Sequence, residues 1–168
     1  MNIIKYERDI TMVDFETDYT IFLAGPTVRG HQTHLKSWRE DAIEIFKEKQ
    51  FIGTLIVPEF FSKTESDKYR YDIPQWEFYG LRNCDVIMFW IPRTRELIGL
   101  TTNFELGYWI SREREKVVYG RPDDAYRMTY CDIMWVEDCK NRGWPTKYAQ
   151  IHNTLEKTID AALEMPPE

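Results

Sequence analysis

Two glutamates stand in settings that suit chemistry as well as solvation. Glu105 lies within Thr101-Thr102-Asn103-Phe104-Glu105-Leu106-Gly107-Tyr108, and Glu77 within Gln75-Trp76-Glu77-Phe78-Tyr79. Two carboxylates converging on one site match the needs of glycosidic bond cleavage, where one attacks carbon and the other handles a proton. Trp76, Phe78 and Tyr79 would raise the pKa of Glu77 if they bury it, because desolvation disfavours the charged form. Each glutamate also has a plain structural reading. A helical Glu is usually just solvated, and Thr102 with Glu105 has the spacing of a helix capping box, the commoner use of that pattern. Gly107 inside the same helix costs about 1 kcal/mol relative to Ala, which predicts close packing or close approach of a ligand.

The turn Gly25-Pro26-Thr27-Val28-Arg29-Gly30 is a third candidate. Its backbone N–H groups, Thr27 and Arg29 suit a phosphate or sugar hydroxyls. The bland alternative is an ordinary strand-to-helix turn. The segment matches neither the dinucleotide glycine fingerprint nor a P-loop, so no cofactor is expected. His31, His34 and His152 form no metal signature, and Cys131 and Cys139 are too far apart for a zinc knuckle pair. No metal site and no serine nucleophile elbow are expected.

The elements that must position these residues follow from hydrophobic pattern. Thr20 to Gly25 reads as a buried strand ending in a turn, after a polar N-terminal lead over residues 1–19. Ser37 to Lys49 has helical spacing, with Trp38, Ala42, Ile43, Ile45 and Phe46 as an apolar stripe beside Arg39, Glu40 and Lys47. Thr54 to Phe60 is a second strand, stopped by Pro58. Phe61 to Asp72 is polar and long enough for a lid. Pro74 suits a first helical turn and starts a helix through Pro74 to Asn83. Asp85 to Ile91 is a nearly all-apolar third strand, as expected where both sheet faces are covered. After the loop Pro92 to Thr101, the pattern predicts a helix over Asn103 to Glu113, a strand over Lys116 to Gly120, a fifth strand over Asp132 to Val136, and a terminal helix over Thr146 to Leu163.

Strands alternating with helices imply right-handed crossovers and a mainly parallel sheet with helices on both faces. The 168 residues suit one domain, with its core over about 20–136. In such sheets ligands bind beyond the carboxyl ends of the strands, which here are Gly25-Pro26-Thr27, Pro58-Glu59, the loop after Ile91, and Gly120-Arg121.

Composition narrows the function classes. A balance of 22 basic and 28 acidic residues gives a net charge of −6 and no basic face for a nucleic-acid backbone. A small-molecule substrate is expected, with any phosphate met by local basic groups. Six Trp and ten Tyr must pack in the core, at an interface or around a flat ligand. Three cysteines without a framework spacing point to a reducing compartment. With no signal peptide and no apolar run of the roughly 20 residues a span needs, a cytoplasmic protein without membrane partners is expected.

Together the segments IFLAGPTVRG, WEFYGLRNCDVIMFWIP and TTNFELGYW resemble the nucleoside 2-deoxyribosyltransferase superfamily, which includes nucleoside and deoxynucleoside monophosphate N-glycosidases. The resemblance runs from about Thr20 to Gly120. It implies a flavodoxin-like, five-stranded, mainly parallel sheet and a nucleoside or nucleotide as substrate. Glu105 falls on the nucleophile that attacks the anomeric carbon. Glu77 falls on a carboxylate that contacts the base and assists its departure, where the family often has Asp. Phe22, the Gly25, Pro26, Thr27, Arg29 and Gly30 turn, Trp76 and Thr102 would contribute substrate binding, and Asp85 would begin its strand as a structural residue. Relatives often carry Tyr at the position of Phe22, so that hydroxyl is missing or replaced here. Glu96 is a candidate partner carboxylate in the loop before Glu105. The family also implies a homo-oligomer, since relatives commonly complete sites across subunits. Two other readings compete: a non-catalytic nucleotide-binding or sensing domain of the same fold in which Glu105 only caps its helix, and a flavodoxin-like electron carrier.

Overall fold

The computed structural model describes residues 1–6, 19–29, 31–32, 34–60 and 72–165. Gly30 and positions 61–71 of the expected lid lie outside them. Five parallel strands form one sheet in the order β1-β3-β2-β4-β5: β1 Asn2–Tyr6, β2 Thr20–Ala24, β3 Thr54–Phe60, β4 Val86–Trp90 and β5 Val117–Gly120. Five α-helices accompany them: α1 Trp38–Glu48, α2 Asp72–Asn83, α3 Leu100–Glu113, α4 Thr129–Asn141 and α5 Leu155–Leu163. Counted from β2, the last four strands follow the 2-1-3-4 order of a flavodoxin-like sheet, and β1 adds the fifth at the edge beside β3. The topological switch lies where β2 pairs with β3 on one side and β4 on the other.

Alternation along the strands builds two cores. Phe22, Ile56, Ile87, Phe89 and Tyr119 face α2, α3 and α4, meeting Leu81, Leu106, Trp109 and Trp135. Ile21, Leu23, Leu55, Val86, Met88 and Val118 face α1 and α5, meeting Trp38, Phe46, Ile159 and Ala162. Both faces of β4 are therefore covered, which explains its unbroken apolar sequence. Asp85 is structural. Its carboxylate accepts from the Thr20 backbone N–H and Thr20 Oγ1, each at 2.7 Å, and so ties the start of β4 to that of β2.

Several expectations are corrected. The N-terminal lead contains the edge strand β1, paired with β3 from Asn2–Thr54 to Lys5–Val57. Pro58 does not stop β3. The pairing of β2 with β3 extends only to Phe22–Ile56, and the β1 register shifts between Lys5 and Tyr6, so the missing N–H of Pro58 breaks no regular ladder. Asp132 to Val136 is part of helix α4. Cys131, Trp135 and Cys139 are its buried residues, a spacing of four that the five-residue window conceals. The terminal helix is also shorter than expected. A 3₁₀ turn at Thr146–Ala149 leads to His152, which pairs with the edge of β5, and α5 begins after the Thr154 cap.

Helix α3 begins three residues earlier than its pattern predicts. Its N-cap is Gly99, with φ +59°, and no side chain caps it. Thr102 is therefore inside the helix and buried, and Glu105 sits in the second turn, so the capping-box reading fails. Gly107 is exposed, and a Cβ built there meets nothing within 4 Å. The close packing predicted for it is absent among the described residues. Gly107→Ala is expected to stabilise the protein by about 0.5–1 kcal/mol, since Ala restricts the unfolded chain and fits the helix. A higher urea midpoint with unchanged slope would show this; a lower midpoint would mean the glycine meets a neighbour.

Candidate active site

Beyond the carboxyl ends of β2 and β3 lies an open cleft, with about 260 Å³ of space between its walls, solvent included. The end of β2 and its turn supply Phe22, Ala24, Gly25 and Thr27, and β3 supplies Pro58. Arg39 reaches in from α1, Glu77 from α2, and Thr101 and Glu105 from α3. Residues far apart in the chain thus meet at the switch point, where an open parallel sheet leaves a crevice.

The turn after β2 explains its own glycine. Gly25 has φ +151°, and a Cβ there would lie 2.2 Å from the Trp90 carbonyl oxygen and 2.9 Å from the Trp38 ring. Trp38 Nε1 donates to the Pro26 carbonyl at 3.0 Å, which pins the turn to the first residue of α1. Gly99, at the start of α3, lies against the Pro26 ring. Any side chain at Gly25 would push the turn out of the cleft.

Arg39 is the residue that sequence reasoning missed. It was placed on the polar side of α1, yet it is only 1% exposed. Nε donates to the Leu23 carbonyl at 2.9 Å and one terminal nitrogen to the Gly25 carbonyl at 2.9 Å. The other donates to the Pro26 carbonyl, Thr27 Oγ1 and, at 3.1 Å, the Glu59 carboxylate. Ser37 caps α1 by accepting from the Arg39 backbone N–H and donates its own hydroxyl to Glu59. Arg39, Ala42 and Phe46 share the i, i+3, i+7 phase of the buried face. An arginine in step with an apolar stripe was the available signal.

The electrostatics follow from burial. The Glu77 carboxyl is pushed up to about 7, chiefly by desolvation and then by the like charge of Glu105, with Arg39 and Arg29 pulling the other way. Glu105 is also raised by burial, and Arg39 opposes the rise. Arg39 itself is held below the ordinary arginine value by burial, against the pull of Glu59, Glu77 and Glu105.

Not every expected residue reaches the cleft. Phe22, Gly25 and Thr27 line it with the two glutamates, while Pro26 lies behind as an acceptor. Arg29 is exposed on the same turn, its backbone N–H held by Gln32 Oε1 at 2.9 Å. Trp76 is not a lining residue; its ring meets Tyr6 edge-on at 5.7 Å. Thr102 is buried, and its neighbour Thr101 lines the cleft instead. Glu96 is exposed and contacts His34 at 3.1 Å, away from the lining.

Residues 18–123 match the family described as nucleoside 2-deoxyribosyltransferase like. The chain belongs to that family. The matched span contains β2 through β5 and every residue lining the cleft. Family members are associated with glycosyl transfer and N-glycoside cleavage, which ties the chain to small nucleoside substrates. No curated protein matches the sequence. No helix among the described residues is long and apolar enough to cross a membrane.

The raised Glu77 value makes stability depend on pH. Between the ordinary carboxyl value of 4.5 and about 7, the folded protein holds a proton that the unfolded chain has released. Stability is expected to fall as pH rises through that window and to stay level above it. Glu77→Gln removes the ionisation and should gain about 1–2 kcal/mol over wild type at pH 8 but little at pH 4.5. Urea midpoints across this range check the crossover.

Proposed function

We propose that the protein cleaves the N-glycosidic bond of a nucleoside or nucleotide through a glycosyl-enzyme ester on Glu105. The observation that carries this reading is the meeting of Glu77 and Glu105 in one cleft within the matched family span. The ionised Glu105 carboxylate attacks C1′. The C1′–N bond breaks, its electron pair stays on the base nitrogen, and Glu77 delivers a proton to the base. Water or a second base then attacks C1′ while the Glu77 carboxylate takes its proton, and the C1′–O bond to Glu105 breaks, with retained configuration at the anomeric carbon. Glu77, protonated near neutrality, suits the acid. Glu105, beside Arg39, suits the nucleophile. Environments that separate two carboxyl groups in this way assign their roles.

The reading as a binding or sensing domain relied on Glu105 serving as a helix cap. With Gly99 as the N-cap and Glu105 one turn further on, that support is gone. A catalytic Glu105 accounts for a carboxylate turned into a cleft beside another carboxylate. By analogy with the family, we further propose that the working form is a homo-oligomer.

Glu105→Gln is expected to fold like wild type, bind nucleoside or nucleotide, and lose nearly all base release in a chromatographic assay. A 2′-fluorinated arabinosyl substrate should leave wild type heavier by one sugar in intact mass spectrometry, with peptide mapping placing the adduct on Glu105. Near-normal turnover of the variant, or an adduct elsewhere, would refute the nucleophile.

Arg29 borders the cleft on the exposed side of the turn and adds positive charge near Glu77. We propose that it meets a 5′-phosphate, so that a monophosphate is accepted at least as well as its nucleoside. Arg29→Ala should then raise KM for the monophosphate about tenfold or more, the usual scale for losing one charge-assisted contact, and leave the nucleoside KM nearly unchanged. Equal effects on both substrates would count against a phosphate contact.

A further inference from the structure

We propose that Arg39 is a positioning residue: its buried guanidinium braces the floor of the cleft and supplies the fixed positive charge that lets two carboxylates share it. The chemical use of that pairing rests on the N-glycosidic reading above; the pairing itself does not.

Arg39 is not arranged to bind a ligand by swinging towards it. Each of its three nitrogens already donates, between them to the Leu23, Gly25 and Pro26 carbonyls, Thr27 Oγ1 and Glu59. The bonds hold the guanidinium in place at the wall shared by Glu77 and Glu105. Five charged groups bear on the cleft: Arg39 from α1, Glu59 from β3, Glu77 from α2, Glu105 from α3 and Arg29 from the turn after β2. Arg29 is exposed and therefore screened by water and salt. Arg39, at 1% exposure, acts through a medium of much lower polarisability, where a charge reaches further. It opposes the effect of burial on both Glu105 and Glu77, whose like charges repel each other in equal measure.

The Glu59 pairing makes the idea testable in both directions. Glu59 accepts from Arg39 at 3.1 Å and offsets part of its charge. Glu59→Gln keeps an oxygen to accept from Arg39 and Ser37 but removes that offset, so the pull of Arg39 on the cleft glutamates should grow. Arg39→Met removes the pull altogether. A purely structural arginine would give no such opposition of sign.

The test is a carbon-detected NMR titration of the full chain, labelled at glutamate side-chain carboxyls and free of substrate. Glu77→Gln and Glu105→Gln assign the two signals. Arg39→Met is expected to move both titrations to higher pH, Glu59→Gln to move them lower, and Arg39→Lys to return them most of the way to wild type. The acid limb of kcat/KM should move in the same directions. If Arg39→Met does not fold, Glu59→Gln decides the matter: a shift to lower pH supports the proposal. No shift, or a shift to higher pH in that variant, overturns it. Because the titrations need no turnover, a wild-type protein that releases no base would sink the N-glycosidic reading and leave the role of Arg39 to be judged on its own result.

Discussion

A guanidinium buried at the carboxyl end of β2 is the constraint on which the rest of the site depends. Three backbone carbonyls, of Leu23, Gly25 and Pro26, accept from the Arg39 guanidinium, and that of Pro26 also accepts from Trp38. A buried carbonyl without a donor costs about 1–3 kcal/mol, and Arg39 serves all three. Its charge in turn requires a counterion, which Glu59 provides from the end of β3. Removing either partner of such a buried pair typically costs about 3–5 kcal/mol, because the other is left uncompensated. One side chain therefore joins α1, β2 and β3 where the sheet opens.

The same arrangement sets the chemical character of the cleft. A positive charge held out of water makes it possible to bury two carboxylates that would otherwise repel each other. Burial then raises both, and Arg39 opposes the rise in each. Scaffold and electrostatics are thus inseparable here. The bonds that hold the turn also fix the distance of the charge from the glutamates.

The abundant aromatic rings serve the scaffold more than the cleft. Phe22 is the ring that lines it, packed so closely on α2 that a Cβ at Gly80 would lie 2.9 Å from the Phe22 ring. Trp38 braces the Gly25 turn, and Trp135 lies beneath the guanidinium of Arg114, whose carbon sits 3.2 Å from the ring centroid. Trp76, flanking Glu77 in sequence, instead packs on β1. Adjacent residues on a helix point about 100° apart, so a sequence neighbour of a cleft residue seldom shares its direction.

By itself the sequence determined the strands from Thr20 to Gly120, the helices between them, and the parallel class of sheet, because buried strands and amphipathic helices carry strong periodic signals. It also determined Glu77 and Glu105 as the carboxylates of interest and the Gly25 turn as their neighbour, through segments that resemble one family. Local pattern failed where windows were short or context ruled. Asn2–Tyr6 lies within a lead that is polar as a whole and, as an edge strand, leaves residues exposed, while residues 132–136 are a short apolar run inside a helix. The folded chain alone makes Gly99, not Thr102, the cap of α3, since a cap depends on backbone geometry rather than residue spacing. Only the tertiary structure revealed Arg39 as the centre of the site. Its donors go to carbonyls 13 to 16 residues away and to a carboxylate 20 residues away, contacts that exist only once helix and sheet have packed.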